Sequence, residues 1–296
     1  MRFLLATDGS EYSEGAARFL TRFDFSTGDE IMVLHVIAEV PYEDDYRAQV
    51  KQFIKRAAPG ILRTASDILK PVKAKVTTRE EDGYPDATIM EIAVDADVDL
   101  IVMGARGIRG MKAFFLGSST RSVVINSAKP VLVSKPVAWS REGGMRILFA
   151  TDGSEPAKTT GGLLKALPLR DDTEVKIINI AGSVGPDIPG GMIAETDERM
   201  KETLAKIQTG EAQRALEVVS EAERFLGNRF PNIGKVIEKG DPAAGILGEA
   251  EKWKADVVAV GSRGLRGVKG MIGSVSRRVL GHAGCAVLVG GKAAGR

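Results

Sequence analysis

The chain has 296 residues, enough for two ordinary domains that each bury a core. Hydrophobic residues at 44% and charged residues at 27%, with a mean hydropathy of -0.04, describe a globular protein and exclude a disordered or fibrous one. Lys and Arg total 41 against 39 Asp and Glu, so the net +2 offers no field to recruit nucleic acid or an anionic membrane, and any anion site has to be local.

The first strand-like run, FLLAT, ends in ATDGS, with no charged-then-apolar leader ahead of it. IMVLHVI, VKAKVTT (72–78), VDLIVMG and PVLVSK follow as further strands of the first half. VDLIVMG is nearly all apolar, as expected of a parallel strand covered by helices on both faces. Between the second and third strands Val50, Ile54, Ala57, Ile61, Ala65 and Ile68 step at helical spacing and predict a core-facing stripe. Pro85 opens the next helix, where a missing N–H costs nothing. The stretch from Ser134 to Met145, SKPVAWSREGGM, mixes proline, glycine and charge as linkers do, and places a boundary near Gly143.

The second half repeats the order with ILFAT, EVKIINI, KVIEK, DVVAVG and AVLVGG. Its long helix from about 197 carries Met200, Leu204, Ile207, Ala212, Leu216, Val219 and Leu226 on one stripe, and Pro242 opens a helix as Pro85 does. The Gly- and Pro-rich loop 182–191 reads either as a flap or as a linker.

Self-similarity is explicit: RFLLATDGS from Arg2 recurs as RILFATDGS from Arg146, DGYPDATI from Asp82 as KGDPAAGI, and MGARGIRG from Met103 as VGSRGLRG from Val260. Alternating strands and helices then predict two tandem doubly wound α/β domains, each a five-stranded parallel sheet with helices on both faces. The boundaries are 1–138, a linker at 139–144, and 145–296. A homodimer of the whole chain is a further possibility.

The segment that carries chemistry follows the fourth strand, where GARG ends at Gly107 and nine residues lead to Gly117-Ser118-Ser119. Glycines at a strand end let N–H groups converge on an anion, and the following helix N-terminus favours negative charge. The hydroxyls of Ser118, Ser119 and Thr120 could cap that helix or meet phosphate oxygens. Asp8 ends the first strand at the carboxyl edge of the sheet, where open α/β folds bind ligands. It could hold ribose hydroxyls or a divalent ion beside phosphates, or cap the next helix together with Ser10. Arg106, Arg109 and Lys112, with Arg263, Arg266 and Lys269, form a repeated basic spacing: a phosphate counter-charge or a solvated face. His35 at the end of the second strand reads as a structural histidine, and His282 suits a helix carboxyl end. The single cysteine, Cys285, reads as buried and inert, and no disulfide, transition-metal spacing or nucleophile elbow is present in the sequence. With no apolar run near the roughly 20 residues that span a bilayer, the expected location is the cytoplasm.

ATDGS, VLHVI, GYP and the G-x-x-G, nine-residue, G-S-S pattern together resemble the universal stress protein family, across nearly the whole chain and twice. The resemblance implies an adenine nucleotide alpha hydrolase-like fold, pairing of the two halves along their last strands, PVLVSK and AVLVGG, about a pseudo-two-fold, and ATP as ligand, with Mg or Mn as an accompanying ion. It implies that Ala6, Thr7 and Asp8 lie beside the nucleoside and that Val36 meets adenine through its backbone. Met103, Gly104, Arg106, Gly107, Gly117, Ser118 and Ser119 then surround ribose and phosphates. In the second half the matching positions are Ala150, Thr151, Asp152, Ile180, Val260, Gly261, Arg263, Gly264, Gly273, Ser274 and Val275. Only eight residues separate Gly264 from Gly273 there, and a one-residue deletion can shift N–H groups by up to ~3.8 Å, more than a hydrogen bond tolerates. The first site is therefore the better one. The expected function is regulatory nucleotide binding with slow or no turnover, because no residue evidently activates water. A metal-dependent ATPase or nucleotidyl transferase, and a scaffold that binds no nucleotide, are the alternatives.

Overall fold

Apolar runs flanked by glycine and helical periods settle into β-α alternation through both halves of the computed structural model, which describes residues 1–39, 45–106, 116–135, 143–181, 198–263 and 272–291. The first half contains β1 (Arg2–Ala6), α1 (Glu11–Leu20), β2 (Glu30–Ala38), α2 (Asp45–Leu69), β3 (Lys75–Gly83), α3 (Pro85–Asp95), β4 (Leu100–Gly104), α4 (Ser118–Asn126) and β5 (Val131–Ser134). The second contains β6 (Arg146–Ala150), α5 (Glu155–Ala166), β7 (Glu174–Ala181), α6 (Glu198–Leu226), β8 (Ile233–Lys239), α7 (Pro242–Lys252), β9 (Val257–Val260), α8 (Ser274–His282) and β10 (Ala286–Val289).

The two five-stranded sheets merge into one of ten strands, ordered β3-β2-β1-β4-β5-β10-β9-β6-β7-β8. Neighbours are parallel within each half, as expected. At the seam β5 and β10 run antiparallel, with Leu132 opposite Leu288 and the valines at 131 and 133 facing those at 289 and 287. The last strands thus do pair the halves about a pseudo-two-fold. Each half covers one sheet face with its first two helices and the other with its last two. Phe19, Leu62, Leu164 and Val219 lie in one apolar cluster, while Ile92, Val123, Ile246 and Val279 lie in the other.

Two sequence expectations shift. The third strand starts at Lys75 rather than Val72 and runs on through Arg79, Glu80, Glu81 and Asp82 to Gly83. It lies at the sheet edge and is mostly exposed, so charge there blunts the edge and leaves no apolar pattern to read. The stripe of α2 is rotated by about one residue: Ala58, Leu62, Ala65 and Leu69 are buried, whereas Ala57 is exposed and Ile54, Ile61 and Ile68 are half-buried. Both registers have helical spacing and share Ala65, and the one with small Ala58 lets the helix approach the sheet closely. In α6 likewise Ala215, Val219 and Leu226 are buried while Ile207, Ala212 and Leu216 are exposed. The side chains of Val50, Met200 and Leu204 lie outside the described residues.

The halves share a core. Phe19, Phe23 and Leu132 line one small apolar cavity together with Leu164, Leu167 and Leu288. Arg22 reaches across to Asp256 at 2.9 Å, and the Asp24 N–H donates to the Pro168 carbonyl at 2.8 Å. Lys135 donates to the Leu280 and Ala283 carbonyls at 2.9 and 2.5 Å, capping the end of α8. Burial, with a smaller push from Arg106, pulls this ammonium from 10.5 to about 8 against the opposing pull of Cys285. Burial in turn pushes the Cys285 thiol up to about 11. Among the described residues no helix is long and apolar enough to cross a membrane.

Leu132→Ala and Leu288→Ala should each cost about 2–4 kcal/mol in urea unfolding, with coupling of about 0.5 kcal/mol or more because the residues face each other. Additive losses below about 1 kcal/mol would contradict a seam that both halves need. Lys135 loses its proton more easily folded than unfolded, so its contribution to stability is lowest below pH 8 and rises toward pH 10.5. The stability of the parent relative to Lys135→Met should therefore grow between pH 7 and 10; a constant difference would refute this.

Candidate functional site

At the carboxyl edge of the first sheet the chain leaves β1 into α1 on one face and leaves β4 toward α4 on the other, which opens a cleft between the two exits. Ala6 and Met103, both buried, pair across β1 and β4 beneath it. The turn above is tightly wired. Asp8 Oδ1 accepts from the Ser10 N–H and hydroxyl at 3.1 and 2.6 Å, and the Ser10 hydroxyl accepts the Ser13 N–H, capping α1. The Thr7 hydroxyl donates to Ser13 Oγ at 3.0 Å. Gly9 holds φ +76°, and a Cβ there would lie 2.9 Å from Ile61 of α2, so only glycine suits this turn. The capping role read for Asp8 and Ser10 is what the geometry displays.

The close approach of α1 by itself requires glycine at 104. A Cβ on it would lie 2.6 Å from the Tyr12 carbonyl carbon and oxygen and 2.8 Å from the Ser13 nitrogen. Its carbonyl accepts the buried Thr120 hydroxyl at 2.9 Å, so this hydroxyl is not offered to phosphate. The Gly117 N–H is likewise spent on the Ala105 carbonyl at 2.9 Å. What stays open is the first turn of α4: its N-cap is Gly117, at φ −60° and ψ 150°, with no side chain to bond the following N–H groups. Ser118 is exposed and Ser119 half-buried beside it. Arg106 lies over the Tyr12 ring, its guanidinium carbon 5.6 Å from the centroid and one nitrogen 3.3 Å from the phenol oxygen. Val36 is half-buried on β2 next to His35, whose Nδ1 is 2.8 Å from the Thr7 carbonyl. The histidine lies inside β2 rather than at its end, because β2 continues to Ala38.

The second half repeats this frame with fewer polar groups. Gly153 has φ +79°, Ala150 pairs with Val260, and the Gly273 N–H donates to the Ser262 carbonyl. The Gly261 carbonyl accepts the Ser276 hydroxyl at 2.6 Å. Asp152 still accepts the Ser154 N–H, but the buried Ser154 hydroxyl makes no capping bond. Pro156 and Ala157 stand where Tyr12 and Ser13 do, so the ring on which Arg106 lies has no counterpart at that position, and Val275 replaces Ser119. Ile180 is buried, and Ser274 opens α8 after an uncapped Gly273. Gly107, Gly264, Arg109, Lys112, Arg266, Lys269 and the loop 182–191 lie outside the described residues. Sequence reasoning missed Tyr12 and the pairing of His35 with Thr7. The signal for the latter was present: His35 and Asn179 are polar residues at one repeat position inside apolar strands. Among the described residues no group of three His, Cys, Asp or Glu could hold a metal.

Gly104→Ala should cost about 1–3 kcal/mol, since the Cβ meets backbone that cannot swing aside, and would lower the urea midpoint. An unchanged midpoint would show that α1 does not need this approach.

The family model described as "Universal stress protein family" matches residues 1–135 and again 145–290. A universal stress protein of Mycolicibacterium smegmatis is 27% identical over 298 residues, spanning 97% of this chain and 95% of its own. One from Methanocaldococcus jannaschii is 30% identical over 152 residues, covering 45% of this chain and 94% of its own length. The crystal structure of a universal stress protein from Archaeoglobus fulgidus DSM 4304 superposes with a TM-score of 0.65 at 23% identity, covering 98% of this chain and 96% of that one. With the family model matched twice and both halves built on one doubly wound plan, the chain belongs to the universal stress protein family.

Proposed function

We propose that the first half binds an adenine nucleotide, ATP, at the carboxyl edge of its sheet and that the protein acts as a nucleotide-controlled regulator. The observation that carries this is the start of α4: a glycine N-cap leaves the first N–H groups without a side-chain acceptor, above a cleft at the switch point of the sheet. Phosphates meet those N–H groups and the adjoining serines, with Arg106, which lies on Tyr12, as counter-charge. Adenine lies toward Val36. A divalent ion would come with the phosphates and take Asp8, whose Oδ1 already accepts from Ser10.

Turnover is slow or absent in this reading. Asp8 would hold the ion rather than a water, and His35 is committed to a backbone carbonyl, which leaves neither placed to orient water. The second half lacks the counterparts of Tyr12, Ser13 and Ser119 and is the weaker or empty site.

Calorimetric titration should find ATP bound at one strong site per chain. Gly117→Asp would cap α4 internally and place a carboxylate where phosphate goes, lowering affinity at least about tenfold without loss of stability. Undiminished binding by this variant would refute the phosphate placement. Robust steady-state hydrolysis with magnesium or manganese, abolished in Asp8→Asn, would favour an enzyme instead.

A further inference from the structure

In a parallel ladder, residue i donates to one neighbour on the adjacent strand and accepts from the residue two further on. The Thr7 N–H donates to the Leu34 carbonyl at 2.9 Å, so a continued ladder would bring the Val36 N–H to the Thr7 carbonyl. That carbonyl instead takes the His35 side chain, Nδ1 at 2.8 Å. A carbonyl only accepts, so Nδ1 carries the proton. β1 ends at Ala6, while β2 runs on to Ala38, held from its other side by β3.

The second half makes the same substitution with different chemistry. The Thr151 N–H donates to the Ile178 carbonyl at 3.0 Å, and Asn179 Nδ2 donates to the Thr151 carbonyl at 2.7 Å. Two unlike side chains at one repeat position, both buried, each place a donor on the equivalent threonine carbonyl. Packing alone does not explain the pair, and His35 Nε2 has no partner among the described residues.

We propose that His35 is a positioning residue that ends the β1–β2 ladder and so keeps the Val36 N–H and C=O free to read the nucleotide base; this rests on the nucleotide reading above. Leu34 and Val36 present their backbone groups to the same side of β2. Beyond Thr7 that side is the cleft. An N–H beside a C=O matches the N1 acceptor and amino donor of adenine, whereas guanine presents the reverse pair and leaves both groups unsatisfied. The side chain thus sets base preference without touching the base.

The test compares the full-length parent with His35→Asn and His35→Val. Nuclear magnetic resonance hydrogen exchange without nucleotide should show the Val36 amide exchanging readily in the parent and in His35→Asn, and protected in His35→Val, where it closes onto Thr7. In titrations His35→Asn should keep ATP affinity within about threefold, while His35→Val loses about tenfold or more and narrows the preference for ATP over GTP. A merely structural residue would lower the melting temperature and leave base preference unchanged. Equal Val36 exchange in all three proteins overturns the role given to His35 whether or not nucleotide binds. A parent that binds no adenine nucleotide, yet shows the exchange difference, overturns the nucleotide reading alone.

Discussion

Everything at the carboxyl edge of the first sheet depends on the backbone of α1 lying directly against Gly104. The contact admits no side chain on the last residue of β4. It fixes how steeply α1 leaves the sheet, and so where the Thr7–Ser10 turn stands relative to the loop that leads into α4. Thr120 ties that loop back to the same residue through the Gly104 carbonyl. Strands β1 and β4 are almost wholly buried, so the floor of the cleft is rigid, and the polar groups above it are positioned by hydrogen bonds rather than by flexible side chains. In the second half a Cβ on Gly261 would lie 3.0 Å from the Ala157 nitrogen and 3.1 Å from the Pro156 carbonyl carbon, in the equivalent segment of α5.

Much of this was legible in the sequence because duplication doubles every signal. The succession of strands and helices and the opening prolines of α3 and α7 followed from repeated motifs and apolar runs, and the pairing of the last strands from the family resemblance. The stripes of α2 and α6 were misread because helical spacing permits two registers differing by one residue, and which is buried depends on how closely small residues such as Ala58 and Ala215 let the helix approach. β3 was misplaced because an edge strand rich in charge has no apolar period. At the site, ATDGS was legible as a turn with its cap. The glycines of GARG and GSS were read as a cradle for phosphate, yet Gly104 serves helix packing and the Gly117 N–H serves Ala105. Spacing cannot distinguish a backbone that approaches a ligand from one that approaches its own chain.

The halves also show how a duplicated frame diverges without losing its packing. Ser134 at the end of β5 has Gly290 as its counterpart in the second half, and a Cβ on Gly290 would lie 2.0 Å from the Thr160 hydroxyl. The first half has Ala16 where the second has Thr160. One half places its hydroxyl on the strand and the other on the helix, and each makes room with a small residue opposite. Tyr12, Ser13 and Ser119 changed to Pro156, Ala157 and Val275 within the same scaffold, so polar capacity was lost from one cleft while the fold it sits on stayed intact.

The most direct measurement is a crystal structure of the chain with a non-hydrolysable ATP analogue. The account predicts the phosphates on the first N–H groups of α4 beside Ser118 and Ser119, with the adenine edge on the backbone of Val36. An analogue seated elsewhere, or bound with equal occupancy and contacts only in the second half, would contradict it.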